Sequence, residues 1–199
     1  MKVRTGAGEY AARKLIVSAG AWLGDAVPEL ASLLTVERQV LLWFEAKSKG
    51  WFEPERFPIH LWEYEAGKMF YGFPDLGSGV KVAFHHQGEI TNPESVNREV
   101  TRGDIEAMRG LLERFLPEAN GEFLRGTVCL YTNTPDGHFI LDQHPASERV
   151  IVASPCSGHG FKFASAVGEV LADMALDGRS SMDLSLFRLG RLRRGGGDS

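Results

Sequence analysis

The stretch that most constrains this chain is Cys156-Ser157-Gly158-His159-Gly160-Phe161-Lys162. Just before it, Arg149-Val150-Ile151-Val152-Ala153 is a short apolar, β-branched run that reads as a buried strand. Just after it, Phe163, Val167, Val170, Leu171 and Met174 recur at helical spacing, and Gly178 marks the stop. The segment therefore reads as a strand, a tight glycine-containing turn and the first turn of a helix. Two glycines let the backbone pass close to a ligand, and a helix start offers unpaired N–H groups with a partial positive charge. Lys162 adds a full charge there, so the turn is suited to an anion or to a ring that becomes anionic. The same pattern also occurs in strand-to-helix turns that hold no ligand, and both readings stand on spacing alone.

The totals narrow the class of protein. A chain of 199 residues, 43% of them hydrophobic, is long enough for one domain or slightly more with a sizeable core. A net charge of -4 argues against a nucleic-acid or anionic-membrane partner. No apolar run approaches the roughly 20 residues that span a bilayer, and Met1 to Gly6 has no apolar signal core. Two cysteines, Cys129 and Cys156, make no disulfide framework in a chain this long. The expectation is a reduced, cytoplasmic protein with no metal site.

Along the chain, Lys14 to Ser18 reads as a strand, followed by Ala19-Gly20-Ala21-Trp22 and a helix running through Leu30 to Leu34. Glu37 to Glu45 is a second strand anchored by Trp43 and Phe44, and residues 48–59 are a loop. His60 to Glu65, Lys68 to Phe73 and Val80 to His86 read as successive antiparallel strands, with Ala66-Gly67 as a hairpin turn. Asp104 to Phe115 is the clearest amphipathic helix, with Ile105, Met108, Leu111, Leu112 and Phe115 on one face. Gly126 to Thr132 is a further strand, to which Phe139 to Asp142 is expected to pair back after a turn at Thr134-Pro135-Asp136-Gly137. The architecture expected is α/β to α+β.

Four stretches taken together resemble the monomeric sarcosine oxidase family, which includes N-methyltryptophan and pipecolate oxidases. They are KLIVSAGAW (14–22), FYGFP (70–74) with VKVAFH (80–85), CLYTNTPDGHFILDQHP (129–145) and SGHGFK (157–162). The match runs from about residue 9 to about residue 190, in the family's order. That family oxidises secondary amino acids to imines, passes the electrons to oxygen and releases hydrogen peroxide. Its flavin adenine dinucleotide (FAD) is attached through the ring's 8α-methyl to a cysteine, which the resemblance places at Cys129. Attachment needs the thiolate, so a lowered thiol pKa is expected there.

By the same resemblance, Ser157, Gly158, His159, Gly160, Phe161 and Lys162 form the flavin-facing turn, and Lys162 also helps hold the substrate carboxylate. Lys81 is expected above the flavin, promoting reaction with oxygen, with His85 beside it and Tyr71 lining the substrate pocket. On a strand Lys81, Ala83 and His85 share one face by period two, and His86 is expected to point the other way. A cation about 4 Å from a developing negative charge contributes on the order of 4 kcal/mol at an effective dielectric near 20. That is about a thousandfold in rate, at roughly tenfold per 1.4 kcal/mol.

The resemblance also divides the chain. Residues 1–35 would be the last strand–helix element of an FAD-binding domain, and 36–128 an antiparallel-sheet substrate domain. Residues 129–190 would be the flavin-attachment and return segment, and 191–199 a disordered tail. The nucleotide-binding part at the family's N-terminus has no counterpart: Gly6-Ala7-Gly8 precedes a strand instead of following one into a helix. A partner half supplying it would be needed, and the isolated chain is expected to be inactive. Pro155-Cys156 also departs from the glycine and aromatic usual before this turn. A non-catalytic fragment or interaction module that retains the fold is the alternative reading. A Cys–His hydrolase built on Cys129 or Cys156 with His159 lacks a well-placed orienting acid.

Overall fold

The computed structural model describes residues 1–193. Strands β1 (Lys2–Thr5) and β2 (Gly8–Ala11) form an antiparallel hairpin with Thr5 opposite Gly8, so Gly6 and Ala7 make its tip. Strand β3 (Leu15–Val17) follows. The helix expected through Leu34 is not continuous. It is broken into a 3-10 turn at Gly20–Trp22, the single turn α1 (Leu23–Ala26) and a second 3-10 stretch at Pro28–Leu33. Proline disfavours helical geometry at the residue before it, and Val27 is accordingly at φ -136°, ψ 80°.

Next come β4 (Thr35–Phe44), β5 (His60–Glu65), β6 (Lys68–Phe73), β7 (Val80–His85), α2 (Arg102–Phe115) and β8 (Phe123–Asn133). The chain closes with β9 (Ile140–His144), β10 (Ser147–Ser154), α3 (Ala164–Leu176) and the short α4 (Gly190–Arg193). These elements form two compact units, one of residues 36–131 and the other of residues 1–35 with the chain from Thr132 on. Cys129 to Tyr131, grouped above with the return segment, thus belong to the first of these. Of the tail expected at 191–199, residues 191–193 are helical and Arg191 ion-pairs with Asp136 at 2.7 Å; residues 194–199 lie outside the described residues. Among the described residues no helix is long and apolar enough to cross a membrane.

In the 36–131 unit the strand order is β5-β6-β7-β4-β8, and β5/β6, β6/β7 and β7/β4 pair antiparallel. Strand alternation sends Leu42, Phe44, Phe70, Val80 and Val82 to one face, where Met108 and Leu112 of α2 complete a fully buried core. Each such side chain contributes about 1.5–3 kcal/mol by leaving water. Helix α2 starts where the periodicity predicts because Thr101 and Asp104 form a reciprocal capping box. Asp104 is in turn held by Arg38 of β4. The opposite face of the sheet carries Trp43, Lys81 and Phe73 in one cross-strand row, and Ala83 and Tyr71 in the next.

In the other unit β10 is central, parallel to β3 and antiparallel to β9. The strand at 140–144 therefore pairs forward to β10, not back to β8 as expected. Ile151 and Ala153 face Val167, Val170 and Met174 of α3, while Val152 faces Leu23, Val27 and Leu30. Burial on both faces is why Ile151, Val152 and Ala153 are apolar without alternation.

Candidate active site

Lys81 leaves β7 on the sheet face that α2 does not cover. Its Nζ sits 4.8 Å from the Phe73 ring centroid and 5.4 Å from that of Trp43, the residues on either side of it in the register. The two rings are the cation's apolar seat. Burial pushes the Lys81 pKa down; Cys129 opposes this and the Arg125 guanidinium adds to it. On β8, Arg125 lays its guanidinium 3.6 Å from the centroid of the same Trp43 ring.

Cys129, four residues along β8 from Arg125, is half-buried and free. Burial pushes its thiol up, and Lys81 and Arg98 pull it down only in part. The lowered thiol pKa expected from the attachment chemistry is thus not what the unit presents: desolvation outweighs the two cations. Lys81 and Cys129 nevertheless feel each other's charge on one sheet face.

Tyr131, two further along β8, is an additional member of this face that the sequence reading did not single out. Period two from Cys129 is the signal that points to it. Burial pushes its phenol far up, reinforced by Tyr71, to which it hydrogen-bonds, and by Cys129 and Glu37. Tyr71 is raised by burial too, with its hydrogen bond to Tyr131 opposing. His85 Nδ1 lies 3.4 Å from the Tyr131 hydroxyl, and its ring centroid is 6.1 Å from that of Tyr71.

His86 corrects the alternation argument. Strand β7 ends at His85, and His86 adopts φ 54°, which turns its side chain back. Its ring packs 4.2 Å from His85 and 5.2 Å from Tyr131, and its Nδ1 is 3.6 Å from a Glu37 carboxylate oxygen. Tyr71, Lys81, His85, Cys129 and Tyr131 therefore belong to one polar, aromatic surface within the 36–131 unit.

The turn from Cys156 to Lys162 belongs to the other unit. Ser157 is buried at φ 47°, with its N–H on the Thr132 carbonyl at 2.9 Å and its Oγ accepting from the Thr134 N–H at 3.3 Å. Gly160 is required by close approach, because a Cβ there would lie 1.6 Å from the Pro155 carbonyl oxygen. His159 stacks on Phe139 at 4.7 Å, with Nε2 3.0 Å from the Gly137 carbonyl oxygen. Lys162 is not in the first turn of the α-helix as expected. It lies in a 3-10 turn, Phe161–Phe163, that precedes α3. Phe161 is 96% exposed and Lys162 is exposed, so the turn presents an aromatic and a cation to its surroundings.

The remaining polar residues have structural work. Asp136 is lowered to about 2, chiefly by its hydrogen bonds with Arg191. Asp142 accepts from Arg188 Nη1 and from the Leu189 N–H, both at 2.8 Å. Burial pushes the Cys156 thiol up, and the His159 ring is engaged with Gly137 and Phe139, which leaves a Cys–His pair there without support. Among the described residues no three metal-ligating side chains cluster.

A half-buried thiol on an aromatic sheet face beside an ammonium fits the ring end of a flavin. Gly6 and Ala7 join two antiparallel strands, the second of which begins at Gly8, so Gly6-Ala7-Gly8 is not the strand-to-helix cradle that holds a dinucleotide pyrophosphate. The family model for FAD dependent oxidoreductases matches residues 1–174, and the chain belongs to that family. It is 40% identical over 197 residues to the monomeric sarcosine oxidase of Streptomyces avermitilis, covering 96% of this chain and 51% of that protein. To an N-methyl-L-tryptophan oxidase of Escherichia coli it is 38% identical over 194 residues, again 96% of this chain and 51% of the other. The chain spans about half the length of these curated relatives. NikD, described as an unusual amino acid oxidase essential for nikkomycin biosynthesis, shares the fold with a TM-score of 0.71 at 21% identity, over 94% of this chain and 50% of NikD. Amadoriase II, a fructosamine oxidase from Aspergillus fumigatus, does so with 0.73 at 20%, over 92% and 46%.

Proposed function

We propose that this chain forms the substrate and flavin-ring side of an FAD-dependent oxidase of secondary amino acids, N-methylated or cyclic. The carrying observation is that Lys81 and Cys129 sit in electrostatic range of each other on one half-buried face. The flavin, when bound, supplies the two-electron acceptor. The amine loses two electrons and two protons to become an imine, and oxygen takes up the same number to become hydrogen peroxide.

Cys129 is the residue that would tether the ring. Its raised thiol pKa means that attachment needs further positive charge, which a nucleotide-binding half of the kind the relatives' length allows would have to supply. Lys81 holds a cation against Trp43 and Phe73, where it favours negative charge developing on oxygen. Tyr71, joined to Tyr131, closes one side of the substrate pocket, and His85 lies against both phenols. In the other unit, the turn from Ser157 to Lys162 presents an exposed ammonium, a group suited to a carboxylate or to an anionic ring.

The test is direct. The chain is co-produced with the nucleotide-binding half of a sarcosine oxidase and run on a denaturing gel, where flavin fluorescence is expected on this chain and is lost in Cys129→Ala. Peroxide release is then measured with sarcosine, N-methyltryptophan and pipecolate. Fluorescence that persists in Cys129→Ala overturns the tether, and peroxide formation from none of these amines overturns the activity.

A further inference from the structure

Trp43 carries two cations. Lys81 comes to its ring from β7, which pairs with β4 on one side, and Arg125 comes from β8, which flanks β4 on the other. Trp43 is 9% exposed, and the guanidinium lies 3.6 Å from its ring centroid. Arg125 and Cys129 are on the same strand four residues apart, hence on the same face, about 13 Å apart along the strand. The Lys81 ammonium lies between the Phe73 and Trp43 rings, within electrostatic range of a cation that repels it and a thiol that, once ionised, attracts it.

We propose that Arg125, pinned by Trp43, is a positioning residue for Lys81 that confines its ammonium to the Cys129 end of the face. This rests on the reading of Lys81 as the cation that serves the reaction with oxygen. The guanidinium is suited to the task because it stays charged and stacks flat on an indole, so its charge is fixed in place. A mobile surface arginine would be screened by solvent and would leave Lys81 free to swing. The other groups around Lys81 do not supply this push. Cys129 on β8 draws the ammonium the same way, but only once ionised; Tyr71 on β6 and His85 on β7 occupy the next rows. Strand β4 presents the indole and, farther along beside His86 and Tyr131, the Glu37 carboxylate, while the Arg98 cation acts on Cys129. The direction agrees with the electrostatics, in which Arg125 and burial both disfavour the charged lysine while Cys129 favours it.

The chain is labelled with ¹³C-methyl groups on its lysines, Lys81 is assigned by its loss in Lys81→Arg, and its titration is followed by NMR. In Arg125→Gln the Lys81 midpoint is expected to move up toward that of free lysine. In Arg125→Lys, which keeps a charge, most of the depression remains. Trp43→Leu, which releases the guanidinium, shifts the midpoint in the direction of Arg125→Gln. A Lys81 midpoint unchanged or lowered in Arg125→Gln overturns the proposal, as does one that moves equally in Arg125→Lys, which would mark a packing effect alone. No flavin is present, so failure of the flavin tether leaves this result untouched, and failure here leaves the tether standing.

Discussion

Arg38 grips Asp104 with two parallel hydrogen bonds of 3.0 Å, Nη1 to Oδ1 and Nη2 to Oδ2. The same guanidinium donates to the carbonyls of Asn97 and Glu99 at 2.9 and 2.8 Å. One side chain on β4 thereby fixes the start of α2 and the loop before it. Arg38→Met strands a carboxylate that burial alone would raise and that Arg38 and Thr101 hold below its usual range. Loss of one partner of such a pair typically costs about 3–5 kcal/mol, which for a partly exposed Asp104 is discounted to about 2–3. Urea unfolding of Arg38→Met beside Arg38→Met/Asp104→Leu checks it, with the double variant expected to regain part of the loss.

Asp136 gives an acid signature. Its folded pKa of about 2 lies below its ordinary 3.8, chiefly through Arg191. A carboxyl depressed on folding stabilises fully above its unfolded pKa, and that contribution fades as pH falls through the folded one. Asp136→Asn keeps the turn's oxygen but not its charge. The gap in melting temperature between wild type and variant is expected to be constant above about pH 5, to shrink as pH falls through the folded pKa of about 2, and to close by about pH 1.

Lys81 is a lysine that burial disfavours in its charged form. Lys81→Met is therefore expected to leave stability unchanged or to raise it by about 0.5–2 kcal/mol, the range common for relief at functional positions. Oxygen-dependent turnover of the assembled enzyme should fall about a thousandfold, the worth of roughly 4 kcal/mol of charge stabilisation. A scanning melt and peroxide assay on the same preparation check both halves.

Tyr71 and Tyr131 both titrate late because burial opposes ionisation of either phenol. In an alkaline absorbance titration, Tyr131→Phe is expected to remove a late component and to move Tyr71, which loses the hydrogen bond that favours its ionised form, later still. Tyr71→Phe should remove a late component and bring Tyr131 earlier.

Much of this architecture is legible in the residues because it rests on local patterning. Leu42 and Phe44 alternate with Trp43, and Met108 and Leu112 repeat at one helical turn, so the sheet and its helix read directly. The break at Val27 turned on a proline whose effect on its neighbour outweighed a helical apolar pattern. The pairing of β9 with β10 is a tertiary choice that strand propensity does not encode. In the candidate site, Lys81, His85 and Cys129 follow from motif and period. His86 escaped because a positive φ at a strand end cancels alternation, and the thiol's raised pKa is a matter of depth, which spacing does not report.

Strand β10 aligns Ile151 with Ile16, partners more than a hundred residues apart, with the whole 36–131 unit held between them in the chain. During synthesis β3 therefore leaves the ribosome long before its neighbour exists, and the intervening sheet can close first around its own helix. Closing so long a loop is entropically costly and slow. The parallel ladder is therefore expected to form late and to limit the folding rate, and removing β3 should spare the inserted sheet while leaving the turn at 156–162 without its foundation.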